Sequence, residues 1–253
     1  KKPYSVALSI SDKLDSLVGF FGIKLKPSSS KDPYALRRMA ISLVRLIIEN
    51  NINFKLRDFI NYSCKLYKEQ SFEFDIKLLQ KDLSEFILER LKNYLKEKKI
   101  RNDIIESSTN ISNIDEILKV FKQSVALNKN IKKGFGQNVI SIYKRSLNIL
   151  VNEKQNSSEI IGSVDPGLFK NDFEKNLYKR IHDIKKYFSS VGKSENYEES
   201  LKVLSLAKNE VDAFFDNVVV NDNDPIIKKN RLELLKMLCK SFENYLNFSK
   251  IEA

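Results

Sequence analysis

The sequence has little of what most catalytic and metal-binding sites are built from. Its 253 residues include two cysteines, one histidine and seven glycines. Cys64 and Cys239 stand far apart in helical patterns, which is no disulfide framework, and no Cys-x-x-Cys pair exists for zinc. A reducing, cytoplasmic setting is therefore expected. The lone His182 makes no multi-histidine metal site by itself, and its place between Ile181 and Asp183 reads as a helix surface. No Gly-rich phosphate loop and no Ser/His/Asp or Cys/His constellation is present. No apolar run approaches the ~20 residues of a membrane-spanning helix. The longest patch, Ile41 to Ile48, is interrupted by Ser42 and Arg45. The opening Lys1-Lys2-Pro3-Tyr4 leads into no apolar block with a cleavage site, so a signal peptide is not expected. A start without Met, inside a helical pattern, reads as a piece of a longer protein.

What is present is helix. Apolar residues make up 42% and charged ones 30%, a globular balance in a chain long enough for one large domain or two modest ones. Three Asp-Pro pairs, at 32–33, 165–166 and 224–225, place an aspartate at an N-cap and a proline where its missing N–H does no harm. Helices are predicted over about 32–49, 56–70, 76–98, 101–108, 113–128, 137–152, 170–189, 196–216 and 224–248. Gly134-Phe135-Gly136 reads as a turn, and residues 152–167 as a long polar connection. The clearest period runs through Leu79, Leu83, Phe86, Ile87, Leu91, Tyr94 and Leu95, one apolar stripe with Lys81, Asp82, Glu85, Glu89, Lys92 and Lys96 toward water. In the last helix Leu234, Leu235, Leu238, Phe242 and Tyr245 form the buried side. Val218-Val219-Val220 is either a short strand or an extended connector. A domain boundary is expected near Ser71, where a broken pattern precedes the long amphipathic helix.

Charge is unevenly placed. Residues 1–153 hold 28 Lys and Arg against 17 Asp and Glu, whereas residues 154–253 hold 16 of each. The whole excess of +11 thus lies in the first three-fifths and would draw a polyanion there. A Lys- and Asn-rich composition from an AT-rich genome explains the same excess without any binding face.

Several side chains are candidates for chemistry. Asp12 and Asp15 are an i, i+3 helical pair, but they lack the further ligands a metal needs. Arg37 and Arg38 fall in the first turn of their helix with Arg45 two turns on. They suit bidentate phosphate contact, and equally a structural ion pair with Asp12, Asp15 or Asp32. The run Arg90, Lys92, Lys96, Lys98, Lys99, Arg101 is opposed only by Glu97, and reads as a solvated helix end or a phosphate contact. Lys144, Arg145 and Asn148 share the polar side of a helix whose apolar positions include Val139, Tyr143, Leu147 and Leu150. There the cations suit phosphate and the amide suits a base edge, or Arg145 and Asn148 lock the bundle to a neighbouring loop. Of the adjacent Phe214 and Phe215, at most one fully faces the core, and the other offers a stacking surface. Arg231 is a candidate partner for Asp212 or Asp216.

Four segments, in order along the chain, carry a family resemblance. They are Ser11-Asp12-Lys13-Leu14-Asp15-Ser16-Leu17-Val18-Gly19-Phe20-Phe21-Gly22-Ile23, then Ser30-Lys31-Asp32-Pro33-Tyr34-Ala35-Leu36-Arg37-Arg38, Tyr143-Lys144-Arg145-Ser146-Leu147-Asn148-Ile149-Leu150, and Val211-Asp212-Ala213-Phe214-Phe215-Asp216-Asn217-Val218-Val219-Val220-Asn221, which runs on to Asn230-Arg231-Leu232-Glu233-Leu234-Leu235. Together they resemble the C-terminal part of the beta subunit of bacterial glycyl-tRNA synthetase, the two-alpha, two-beta form. Ser11 and Ser16 stand where members often have Ala and Thr, and Lys24, Lys26 and Ser28 to Ser30 make the connecting loop more polar.

The resemblance implies an all-α chain: residues 1–70 the end of a helical HD-like domain, residues 71–253 a DALR-type anticodon-binding helical bundle. Asp12 takes the final metal-ligand position of HD-type phosphohydrolases without the upstream His-Asp pair, so a non-hydrolytic relic is implied, with no metal and no catalytic residue. The implied function is capture of tRNA-Gly for glycylation by the alpha subunit, which would use ATP and magnesium. This part itself would hold no cofactor and be catalytically inactive. Lys144, Arg145, Asn148, Arg90, Lys92, Arg37 and Arg38 are the implied tRNA contacts. The implied partners are tRNA-Gly, the alpha subunit and a second beta subunit, with no membrane and no DNA. Other readings are a subunit-docking scaffold and a remnant of an HD-type metal phosphohydrolase.

Overall fold

A computed structural model describes residues 3–28, 30–109, 114–156, 162–190 and 196–252. Ser29, the residues before Ile114 in the expected 113–128 helix, and residues 157–161 of the expected 152–167 connection lie outside them. The described residues are all-α, with no strand among them. Among the described residues eleven α-helices follow one another: α1 (Pro3–Gly22), α2 (Leu36–Glu49), α3 (Leu56–Glu69), α4 (Ile76–Glu97), α5 (Asn102–Ser108), α6 (Ile117–Asn130), α7 (Gly134–Asn156), α8 (Asp172–Ser190), α9 (Tyr197–Ser205), α10 (Lys208–Asn217) and α11 (Pro225–Glu243). The chain forms two compact units, residues 1–124 and 125–253.

In the first unit α2 and α4 both pack on α1, and α3 packs on α1 and α4. Leu14, Leu17 and Val18 of α1 meet a core of Leu43, Val44 and Ile47, Ile60, and Leu83, Ile87, Leu91 and Leu95, all buried. The stripe read along α4 is thus the buried side, except that Phe86 is only half-buried. The break at Ser71 is a turn, with Ser71 at φ 69. It lies within the first unit, because the apolar stripe of α4 is covered by α1 and α2.

Asp165 and Asp224 cap as expected, whereas α2 begins only at Leu36, with Ala35 at its N-cap position (φ 58) and Asp32-Pro33 in the turn before it. Both carboxylate oxygens of Asp32 accept from α2, at 2.8 Å from the Leu36 N–H and 3.0 Å from that of Arg37. Asp224 accepts from Ile226 at 2.8 Å with Pro225 at the first position of α11. Asp165 caps a 3-10 turn, Pro166–Leu168, in the same way.

In the second unit α7 and α11 are the central pair, flanked by α8, α9 and α10. Tyr143, Phe214, Leu238, Phe242 and Phe248 are buried between them. The Tyr143 hydroxyl donates to Glu243 at 2.9 Å, and burial first, then Glu243, pushes its pKa well above the ordinary value. Cys64 and Cys239 are buried and free. Burial pushes the Cys239 thiol up to about 12, the reverse of an activated nucleophile.

Three local expectations change. Gly134-Phe135-Gly136 is the first turn of α7, and a Cβ at Gly136 would overlap the backbone carbonyl of Asn130. The helix expected over 196–216 is broken into α9 and α10. Leu201, Leu204 and Ala207 step by three, and the Ala207 N–H bonds back to Leu204 O, three residues earlier, which tightens the turn and keeps all three in the core. The three valines form an extended connector in which Val218 and Val220 are buried while Val219 is 72% exposed.

That connector is held by a buried ion cluster. Arg231, on α11 and 6% exposed, reaches Glu174 at 2.7 Å, Asp222 at 2.6 Å and the carbonyl of Val219 at 2.8 Å. Glu174, itself 1% exposed, also accepts from the backbone N–H groups of Lys170 and Asn171. The Asn171 side chain returns a bond to the Glu174 N–H, a reciprocal cap on α8. Arg231 therefore pairs with neither Asp212 nor Asp216, the partners expected from sequence. The Arg231→Met variant leaves a buried carboxylate unpaired and is expected to lose about 3–5 kcal/mol of unfolding free energy. A urea titration reads this directly; a loss below ~1 kcal/mol would mean that Glu174 does not depend on Arg231.

Candidate nucleic-acid interface

The Lys144, Arg145, Asn148 triplet lies on α7, whose Val139, Tyr143 and Leu150 are buried. Those inward anchors turn the three polar side chains outward. Lys144 is half-buried, and Arg145 and Asn148 are exposed. Their environments differ sharply. The Arg145 guanidinium sits over the Phe215 ring at 4.3 Å. It also lies 3.4 Å from Asp212 and 3.7 Å from Asp216. Lys208 pairs with Asp212 from the preceding turn of α10. Arg145 is thus oriented by an aromatic face and two carboxylates, whereas Lys144 and Asn148 have no ion pair or hydrogen bond among the described residues.

Of the interhelix lock read for Arg145 and Asn148, the structure shows the Arg145 part. Arg145 locks α7 to α10, and Lys144 and Asn148 remain available to a ligand. Phe214 is fully buried, and Phe215 is half-buried beneath Arg145. Asp212 and Asp216 sit at i and i+4 with Phe215 between them, so one side of α10 offers two carboxylates beside a ring. That spacing was the available signal for the Arg145 contact, but nothing local in the sequence names the cation it receives.

The remaining candidates lie in the first unit. Arg37 donates to the carbonyl of Ser28, and Arg38 is exposed. Neither forms an ion pair with Asp12, Asp15 or Asp32 among the described residues. Asp12 is exposed, and Asp15 accepts from the Tyr67 hydroxyl at 3.3 Å. No three His, Cys, Asp or Glu side chains converge for a metal among the described residues. In the basic run, Lys92 is committed to Glu106 at 3.1 Å and Arg101 to Asp103 at 2.6 Å. Arg90 lies over the Phe86 ring at 4.8 Å. His182 is exposed, its Nδ1 3.0 Å from the Tyr178 carbonyl oxygen. No described helix is long and apolar enough to cross a membrane.

Comparison with known proteins places these features. Residues 1–110 match the family model of the glycyl-tRNA synthetase beta subunit, and residues 139–253 match that of the DALR anticodon binding domain. The chain is similar to the glycine–tRNA ligase beta subunit of Rickettsia africae (strain ESF-5), 35% identical over 248 residues, or 96% of this chain and 34% of that protein. It is likewise 32% identical over 252 residues to the beta subunit of Rhodospirillum centenum (strain ATCC 51521 / SW), covering 99% of this chain and 35% of the relative. The chain therefore spans about a third of the length of the curated relatives it matches. The DALR match contains the whole Arg145 arrangement, from α7 through α10 and α11. Both matched segments and nearly all of its length are accounted for in this way: the chain is similar to about a third of a glycyl-tRNA synthetase beta subunit, with a DALR-type anticodon-binding segment at its end.

Proposed function

We propose that this chain is the tRNA-gripping part of a glycine–tRNA ligase beta subunit, presenting tRNA-Gly to an alpha subunit that performs the ATP- and magnesium-dependent glycylation. The observation that carries the reading is the polar face of α7 inside the DALR match, with Lys144 and Asn148 unpaired beside an immobilised Arg145. Lys144 supplies a phosphate contact, and Asn148 has both a donor and an acceptor for a splayed base. Arg37, Arg38, Arg90 and Lys92 are further contacts along the tRNA backbone. The part catalyses nothing by itself, works in the cytoplasm, and shares its assembly with an alpha subunit and a second beta subunit.

Lys144→Glu is expected to weaken tRNA-Gly binding about tenfold and to flatten its salt dependence by about one unit of slope. Asn148→Ala is expected to narrow the preference for tRNA-Gly over an anticodon-swapped tRNA about tenfold while leaving the salt slope alone. Filter-binding titrations at two salt concentrations check both. Affinities equal to wild type would remove this face from the site.

A docking role for the first unit is favoured by a separate observation. Tyr4 and Leu8 on α1 are 88% and 73% exposed, and Tyr62 on α3 is 61% exposed. Elsewhere on the same unit a groove of about 480 Å³ is lined by Val6, Ala7, Ile10, Phe54 and Phe59 among others. Apolar side chains shown to water in this way suit a protein partner. Leu8→Asp is expected to reduce co-purification with the alpha subunit without changing tRNA affinity; unchanged co-purification would remove α1 from that interface.

A further inference from the structure

The first unit holds a carboxylate beside a set of aromatic rings that the α7 face does not explain. Helix α3 ends in a turn closed by two backbone bonds, Phe72 N–H to Tyr67 O and Ser71 N–H to Lys68 O, both 3.0 Å, with Ser71 in the left-handed region. That closure sets Phe72 against Tyr67, with ring centroids 5.9 Å apart and planes nearly perpendicular. Phe74 joins them at 5.3 Å from Tyr67 and 6.4 Å from Phe72. The rings rest on α1 where it has no side chains: a Cβ at Gly19 would overlap the Tyr67 hydroxyl, and one at Gly22 the Phe74 ring. Phe72 stays 47% exposed. The result is a pocket of about 290 Å³ lined by Asp15, Gly19, Phe20, Tyr67, Phe72 and Phe74 among others.

One carboxylate oxygen of Asp15 lies 3.3 Å from the Tyr67 hydroxyl. The group has no ion pair among the described residues, although the chain carries a net charge of +11. Lys13, its neighbour in sequence, turns back to the Ser9 hydroxyl at 3.0 Å. The second unit fills the same combination itself, with Arg145 over the Phe215 ring at 4.3 Å and 3.4 Å from Asp212. At Asp15 the rings and the carboxylate stand together, and no guanidinium of the chain is paired with them among the described residues. The three rings incline to one another by 36°, 52° and 86°, so they offer no parallel pair for a base, and the carboxylate repels the phosphate a base carries. Inclined rings suit a cation, and arginine best, because its fork bonds a carboxylate while its plane stacks on a ring. Tyr4, Leu8, Asp12 and Asp15 recur at steps of three and four along the exposed side of α1, so the pocket continues the face read above as a docking surface. We infer that it is the socket for an arginine side chain of a partner protein, with Tyr67, Phe72 and Phe74 receiving the guanidinium plane and Asp15 its N–H groups. The kind of partner rests on the docking reading of α1; the arginine chemistry does not.

The test titrates the full chain with four probes and follows the aromatic ring resonances by NMR. The probes are the end-capped peptide Gly-Ser-Arg-Ser-Gly, the same peptide with citrulline for arginine, free arginine, and guanosine 5′-monophosphate. The arginine peptide is expected to shift Tyr67, Phe72 and Phe74 saturably, with a Kd on the order of 1 mM. The citrulline peptide, equal in shape but uncharged, is expected to bind about tenfold more weakly. Asp15→Asn weakens the arginine peptide about tenfold and Phe72→Leu about threefold. Leu8→Asp leaves it unchanged, so failure of the docking reading and failure of the socket are told apart. Circular dichroism checks folding; if Phe72→Leu does not fold, Asp15→Asn, a change at an exposed side chain, carries the test. No saturable shift, equal binding of the two peptides, or wild-type affinity in Asp15→Asn would overturn the socket. So would tighter binding of free arginine than of the peptide, which would make the ligand a small molecule. Ring shifts with guanosine 5′-monophosphate alone would make the pocket a base platform and overturn it too. Dimerisation that Asp15→Asn abolishes in sedimentation would give the arginine to a second copy of the chain and overturn the assignment to another protein.

Discussion

The second unit depends on a charge almost wholly withdrawn from water. Arg231 is almost wholly buried and divides its guanidinium among Glu174, Asp222 and the Val219 carbonyl. A buried ion pair of this kind adds little net stability over an apolar substitute, because desolvation offsets most of the attraction. It does impose a single arrangement. The start of α8, the connector after α10 and the middle of α11 must all present their oxygens to one planar fork. Where α10 ends is therefore set by the cluster, and with it the position of Asp212, Phe215 and Asp216.

Arg145 is the exposed counterpart of Arg231. At 44% side-chain exposure its pairs with Asp212 and Asp216 are screened by solvent and contribute little to folding. Their effect is on order, since a stacked and paired guanidinium has few rotamers left to lose when a ligand arrives. The same pairing cancels its charge. Arg145 and Lys208 face Asp212 and Asp216, whereas Lys144 has no ion pair among the described residues. Position and charge, which a list of basic residues would credit to one side chain, are divided between two.

Local periodicity made most helices legible in the sequence, and it named the buried sides of α4 and α11 almost residue by residue. The family motifs located α7 and α10 as the segments of interest. What stayed hidden is tertiary. Arg231 lies within reach of several aspartates in sequence terms, and only the fold shows that its main partner, Glu174, lies 57 residues away. Arg145 received Asp212 instead, 67 residues distant. The split between α9 and α10 was concealed because three-residue spacing differs from helical spacing by less than one residue. Ser71 was legible as a turn, but a turn does not say which side of it supplies the partners for the next amphipathic helix.

The central claim is that the Asn148 face of α7 meets the anticodon of tRNA-Gly. Its most direct measurement places a photo-crosslinking amino acid at position 148 and maps the joined nucleotides after irradiation with tRNA-Gly. The account predicts crosslinks confined to the anticodon loop, lost when excess unlabelled tRNA-Gly competes. Crosslinks that fall only in the acceptor stem, or none at saturating tRNA, would contradict it.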